Sequence, residues 1–154
     1  MKKLLFDCGS RDSLAAPGLF VLRVSIGLMM LIGHGIPKLQ KFGQMKEGFY
    51  VPDFFPLYYM SPLVSLIALI GAEVVAASLI VLGLMTRPAA FVLGFAMVVA
   101  AFGRHAADPW FSSGGPAKEL ALLYLIPSLV LILSGAGGYS LDAMIHKEGK
   151  RRRW

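Results

Sequence analysis

The chain has 154 residues and a mass of 16.6 kDa; 56% of it is hydrophobic, only 16% is charged, and the mean hydropathy is +0.68. A water-soluble domain carries about a quarter charged residues, so the deficit sets much of the exterior against lipid and excludes disorder, collagen and coiled coil. The net charge of +6 does not signal nucleic acid, because five of the fifteen basic residues lie in the last eight positions, Lys147 to Trp154, as a tail rather than a folded face.

The start, Met1-Lys2-Lys3-Leu4-Leu5-Phe6, has an apolar run broken by Asp7 and no small-residue cleavage pattern, so the first span is expected to be retained. The single cysteine, Cys8, cannot form an internal disulfide and is read as a bland terminal residue; with no C-x-x-C there is neither a dithiol centre nor a thiolate zinc site. Four apolar spans follow at about 14–34, 62–84, 88–104 and 119–136. Each is near the ~20 residues that a helix rising ~1.5 Å per residue needs to cross ~30 Å of hydrocarbon. The first ends in Gly33-His34-Gly35-Ile36-Pro37, where glycine and proline are expected to interrupt the helix and leave a polar pocket. The second carries a small-residue ridge at Ala68, Ala72 and Ala76 that suits close helix packing, within the chain or between copies. Thr86-Arg87-Pro88 then makes a tight hairpin into the third span, the shortest apolar run, and Pro127 is expected to kink the fourth. A glycine-rich exit, Ser134 to Asp142, leads into a basic tail, residues 143–154, suited to an anionic lipid surface.

The expected architecture is an all-α, integral membrane four-helix bundle forming a single domain over residues 1–154. Both termini are assigned to the cytoplasm, because nine Lys and Arg fall on the terminal side and the Arg87 turn against five opposite, at Lys38, Lys41, Lys46, Arg104 and Lys118. The aromatics Phe42, Phe49, Tyr50, Phe54, Phe55, Tyr58, Tyr59, Trp110 and Phe111 belong to the two outer connections and are read as an interfacial collar rather than a ligand box.

Ionisable residues within apolar spans require partners, since a charge near the bilayer centre costs at least ~2.5–3.5 kcal/mol. Arg23 and Glu73 both fall near mid-membrane and are the expected ion pair, as a structural staple or a functional site. Arg23 and His34, eleven residues apart, share one side of the first helix. At the outer level Arg104, His105 and Glu119 gather, with Arg104–Glu119 a second expected pair and Glu119 also suited to the dipole of the last helix. Three scattered histidines and the absence of C-x-x-C-H, a dinucleotide fingerprint or a phosphate loop point to no metal, haem or dinucleotide.

The order of these features resembles the DoxX family: Arg23 and Gly33-His34-Gly35-Ile36-Pro37-Lys38 on the first helix, Glu73 before Leu82-Gly83-Leu84-Met85-Thr86-Arg87, Glu119 opening the last span, and Gly135-Ala136-Gly137-Gly138-Tyr139-Ser140-Leu141-Asp142 after it. The resemblance runs from about Leu14 to Asp142. It implies a small bacterial inner-membrane protein, and it directs attention to Arg23, His34, Lys38, Glu73 and Glu119. The family includes relatives of the small membrane subunit of a thiosulfate:quinone oxidoreductase, and others tied to oxidative-stress or thiol-homeostasis complexes. Three functions are therefore carried forward. One is a membrane subunit of a quinone-linked redox system, with His34 and Lys38 holding the quinone. The second is a non-catalytic scaffold recruiting soluble redox or detoxification enzymes. The third, disfavoured by the lack of an inverted repeat, is a small transporter or proton path.

Overall fold

In a computed structural model, residues 15–151 are described, with side chains through His146. Cys8, the N-terminal segment and the Arg151-Arg152-Arg153 side chains lie outside these described residues. The described residues are helical and contain no strand. Three helices are long and apolar enough to cross a membrane: α1 (Ala15–Gln40), α2 (Pro62–Leu82) and α3 (Thr86–Arg104). A fourth apolar helix, α4 (Glu119–Ser134), has 16 residues and spans about 24 Å. The amphipathic α5 (Leu141–Arg151) follows.

The lengths depart from the apolar runs in two places. Helix α1 does not stop at Gly33-His34-Gly35; its backbone ladder widens into a π-turn over Leu31–Gly35, with Ile36 N–H donating to Leu31 O, and continues to Gln40. Pro37 has no N–H to give, and the widened turn carries the chain past it without breaking the helix. Helix α3, expected to be the shortest, gains its length from Thr86 at one end and a π-turn over Ala100–Arg104 at the other, so α4 is the short one.

The helices share a core built from Ile26 and Met30 of α1, Ala76, Ala77 and Ile80 of α2, Ala90 and Leu93 of α3, and Tyr124 and Leu131 of α4. Small residues set the spacing. A Cβ on Gly27 would lie 3.0 Å from Ala77 O, and one on Gly94 would lie 3.2 Å from Ser128 Cβ, so α1 meets α2 and α3 meets α4 at near-backbone distance. Of the expected alanine ridge, Ala72 and Ala76 are buried within the chain while Ala68 is exposed. At Pro127, Ser128 Oγ donates to Tyr124 O at 2.8 Å, beside the carbonyl that the proline leaves without its N–H partner.

The α2–α3 hairpin closes through a Schellman turn: Gly83 at φ 68° lets Leu84 N–H reach Leu79 O and its own N–H reach Ile80 O. The next helix start is capped from a distance. Asp142, 2% exposed, accepts from Met85 N at 2.8 Å and Thr86 N at 3.0 Å, and its own N–H donates to Gly83 O at 2.9 Å. A carboxylate at the first turn of α3 satisfies otherwise orphaned donors and faces the positive end of the helix dipole. Arg23 completes this end. Its guanidinium donates to Ile80 O at 3.1 Å and also to Val81 O and Tyr139 O, tying α1, the end of α2 and the Gly135–Tyr139 exit together. Ser140 Oγ caps α5 by accepting from Ala143 N.

Replacing Asp142 with Ala takes the acceptor from two N–H groups at the start of α3, one buried at Thr86 and one part-buried at Met85. Thermal unfolding of the detergent-solubilised protein is expected to show a loss of about 2 kcal/mol or more. Asp142→Asn, which keeps one acceptor, should fall between this variant and the parent; a wild-type transition for Asp142→Ala contradicts the capping role.

Candidate functional site

The antiparallel register of α1 and α2 determines which charges meet. Gly27 packs on Ala77 and Val81, and Gly35 abuts Glu73 and Val74, so residues further along α1 lie opposite positions earlier in α2. Arg23 therefore falls at the Gly83 end and Glu73 at the level of Gly35. Because α1 continues past His34, Lys38 lies one turn further along the same helix face, and its ammonium reaches Glu73. Lys38 Nζ donates to Glu73 Oε1 at 2.8 Å and Oε2 at 2.7 Å, and the Glu73 side chain is 5% exposed. The expected Arg23–Glu73 pair is thus replaced by Lys38–Glu73, and Arg23 serves backbone carbonyls at the opposite end.

Three π-turns frame this level, Leu31–Gly35, Gly71–Ala76 and Ala100–Arg104, and they contain His34, Glu73 and Arg104 respectively. A π-turn inserts an extra residue into the ladder and re-aims the side chains around it, a distortion that recurs at functional sites. Here each one carries an ionisable residue of the same cavity.

That cavity has a volume of about 1360 Å³ and is lined by all four apolar helices and the two long connections. His34, Lys38, Glu73, Arg104, His105 and Glu119 all line it; Arg23 does not. Most of the remaining wall is apolar. His34 packs edge-on to the Tyr124 ring at 5.5 Å, and its ring nitrogens have no hydrogen-bond partner among the described residues. His105 Nδ1 lies 2.7 Å from Asp108 Oδ2. The expected Arg104–Glu119 pair is not formed: the Arg104 guanidinium lies over the Tyr50 ring at 5.8 Å, and Glu119 Oε2 accepts from Ser112 N at 3.0 Å. Glu119 is free to turn to the loop because that backbone N–H supplies the hydrogen bond which a distant Arg104 does not.

Two connections roof the cavity. In the first, Tyr50 O accepts from Ser65 Oγ at 2.8 Å, and the Tyr50 hydroxyl packs so near Gly103 that a Cβ there would lie 2.9 Å from it. Burial pushes the Tyr50 hydroxyl pKa up, the Asp53 carboxylate adding to the rise and Arg104 opposing it. In the second, the buried Lys118 ammonium donates to Ala106 O at 2.9 Å and to Asp108 O, and lies 5.6 Å from the Trp110 ring centroid. The aromatics of the outer connections are therefore divided. Phe49 and Tyr50 line the site, whereas Phe55, Tyr59 and Phe111 are more than 70% exposed, as a collar requires.

Sequence reasoning left Tyr50, Tyr124 and Asp142 without a site role. Tyr124 had a visible signal, a phenol buried in an otherwise apolar helix, where the hydroxyl calls for a polar neighbourhood. Asp142 had one too, an acid directly after a glycine-rich exit. Tyr50 had none that separates it from its exposed aromatic neighbours.

A helical membrane bundle with an ionised pair buried in a mostly apolar cavity is the class of protein these features define. Within that class the chain belongs to the DoxX family, whose sequence model matches residues 18–106, from α1 to just past α3. It is 32% identical over 132 residues to an uncharacterized protein of Haemophilus influenzae, an alignment covering 82% of this chain and 90% of that one. A second uncharacterized protein of Haemophilus influenzae is 33% identical over 84 residues, covering 54% of this chain and 55% of the relative. No solved structure matches the chain.

The close approach at Gly35 yields a contrast with its neighbour Gly33. A Cβ at Gly35 would stand 2.8 Å from Glu73 O, whereas one at Gly33 meets nothing within 4 Å. Gly35→Ala is expected to lower stability by about 1–3 kcal/mol through overpacking, while Gly33→Ala is neutral or gains up to about 1 kcal/mol of helix propensity. Thermal unfolding of both variants checks this; equal effects would remove the helix contact as the cause.

Proposed function

We propose that this DoxX protein is a membrane component of a quinone-linked redox system and that the cavity around Lys38–Glu73 is its quinone site. The observation that carries this reading is an ion pair buried among apolar helices, with hydrogen-bonding capacity left over. The Lys38 ammonium has three N–H donors and gives two to Glu73, so one remains for an acceptor in the cavity. The His34 ring, unpartnered among the described residues and steadied by Tyr124, offers a second donor. A quinone ring presents two carbonyl acceptors and flat apolar faces, which suits two donors in a mostly apolar cavity.

When bound, a quinone supplies reversible two-electron, two-proton chemistry. The chain's own residues contribute binding and proton positioning. Lys38 and His34 would donate to carbonyl oxygens, and Glu73, held against Lys38, would be an adjacent carboxylate for the protons that move there. Tyr124, packed edge-on at 5.5 Å, steadies the His34 ring. Family analogy and this geometry support the reading together; a partner enzyme would supply the electrons.

We also propose a bacterial inner-membrane location with both termini cytoplasmic, supported by the nine-to-five distribution of basic residues. The scaffold reading retains one favourable observation. Phe55, Tyr59 and Phe111 stand exposed on the outer connections and would suit contact with a soluble redox enzyme as well as with lipid headgroups.

Protein purified in mild detergent and extracted with solvent should yield quinone by mass spectrometry at a near-stoichiometric level above a lipid control. His34→Ala should lose most of it while remaining folded. No quinone above the lipid background in the parent would set the redox reading aside in favour of the scaffold.

A further inference from the structure

The cavity is partly roofed at its loop end and also reaches the flank of the bundle. Toward the loops it lies under the Phe49–Pro52 strap, where Pro52 is buried, and beside the 112–117 segment held through Lys118 and Glu119, with Gln44, Gly48 and Arg104 exposed around them. Its flank is different. The inner half of α2, Gly71–Leu82, packs on α1 and α3, but the outer half, Pro62–Ile70, makes few contacts with the other helices, although Ser65 and Leu66 are buried. At that level the cavity is lined by Ala68 and Leu69 from α2 and Val92, Phe95 and Ala96 from α3, of which Ala68, Val92 and Phe95 are exposed. Exposed apolar lining beside a sparsely packed half-helix, at the level of the membrane spans, is where such a cavity can open to lipid.

The polar groups are arranged accordingly. Lys38, Glu73 and His34 are buried or half-buried on the cavity wall, and no ionisable side chain belongs to the seam itself. At about 1360 Å³ the space also exceeds the ~300–1,000 Å³ of an ordinary small-molecule pocket, so a ring-sized headgroup would leave much of it unfilled.

We propose that the seam between the outer half of α2 and α3 is a lateral entrance from the bilayer, and that the site takes a lipid-dissolved amphiphile with its polar head at Lys38–Glu73 and its apolar tail lying in the seam. Tyr50 and its strap are the positioning element that keeps water-borne ligands out. The inference rests on the cavity being a ligand site, as in the preceding reading, but not on the ligand being a quinone. Small side chains at Ala68 and Ala96 keep the seam passable, and a large one at Ala96 would close it.

The test uses thiol accessibility in lipid nanodiscs, which expose both faces, in a Cys8→Ser background with Ala72→Cys placed beside Glu73. The probes are a long-chain N-alkyl maleimide dissolved in the lipid and a sulfonated maleimide in water. The lipid-dissolved reagent is expected to label Cys-substituted Ala72 and the sulfonated one to leave it intact. Adding Ala96→Phe should slow lipid-side labelling by about tenfold or more, the scale of an overpacked side chain, with an unchanged unfolding transition as the folding control. Adding Tyr50→Ala should instead admit the sulfonated reagent. Labelling from water in the parent, labelling by neither reagent, or a folded Ala96→Phe variant labelled at the parental rate would each overturn the lateral entrance. Because no quinone is used, failure here leaves the quinone extraction to stand or fall by itself.

Discussion

An ammonium and a carboxylate held 2.7 Å apart between two membrane helices constrain everything around them. Either charge alone would cost several kcal/mol at that depth, so the two segments must bring Lys38 and Glu73 into register or neither can stay ionised there. Several features serve that requirement. Helix α1 must continue through Gly33-His34-Gly35 and past Pro37, which the π-turn over Leu31–Gly35 permits. Gly35 must lack a side chain so that α1 can lie against the Glu73 backbone. A second π-turn in α2 presents Glu73 at that crossing.

The opposite end of the bundle is built on backbone rather than on paired side-chain charges. Arg23 gathers the carbonyls that end α2 and the Tyr139 carbonyl beyond α4, and Asp142 caps α3 while receiving nothing from Arg23 directly. Both are nearly fully buried, and both satisfy groups that helix ends leave without partners. One end of the molecule is thereby locked, and the other is left with a cavity. The two intramembrane ionisable clusters look alike in the sequence but differ in kind: one closes the fold, the other surrounds a space that a ligand can fill.

The class of fold was legible from apolar run lengths, because lipid tolerates few backbone solutions and helices are the one that a run of about twenty apolar residues favours. Six of the seven candidate polar residues line one cavity, in keeping with the rule that an ionisable group in or beside an apolar span seeks an interior, while Arg23 finds its interior at the opposite end. Pairing was not legible. It depends on helix register to within a turn, and reading Gly33 to Pro37 as a helix break removed Lys38 from the helix that carries it to Glu73. The spacing of Gly27 and Gly35, eight residues apart on one helix face, held the missing register, since both mark where α2 comes closest. Arg104 and Glu119 failed as a pair for a different reason, because an aromatic ring and a loop N–H satisfy them separately. Such partners come from irregular connections, where no periodicity constrains the prediction.

Glu73 is energetically coupled to Lys38 and not to Arg23. Two double-mutant cycles in one detergent, read by unfolding, test it most directly: Lys38→Met with Glu73→Gln, and Arg23→Met with Glu73→Gln. A coupling of about 1–3 kcal/mol is expected in the first cycle and additivity within about 0.5 kcal/mol in the second. Additivity in the first cycle with strong coupling in the second would contradict it, and would restore Arg23 as the partner of the buried carboxylate.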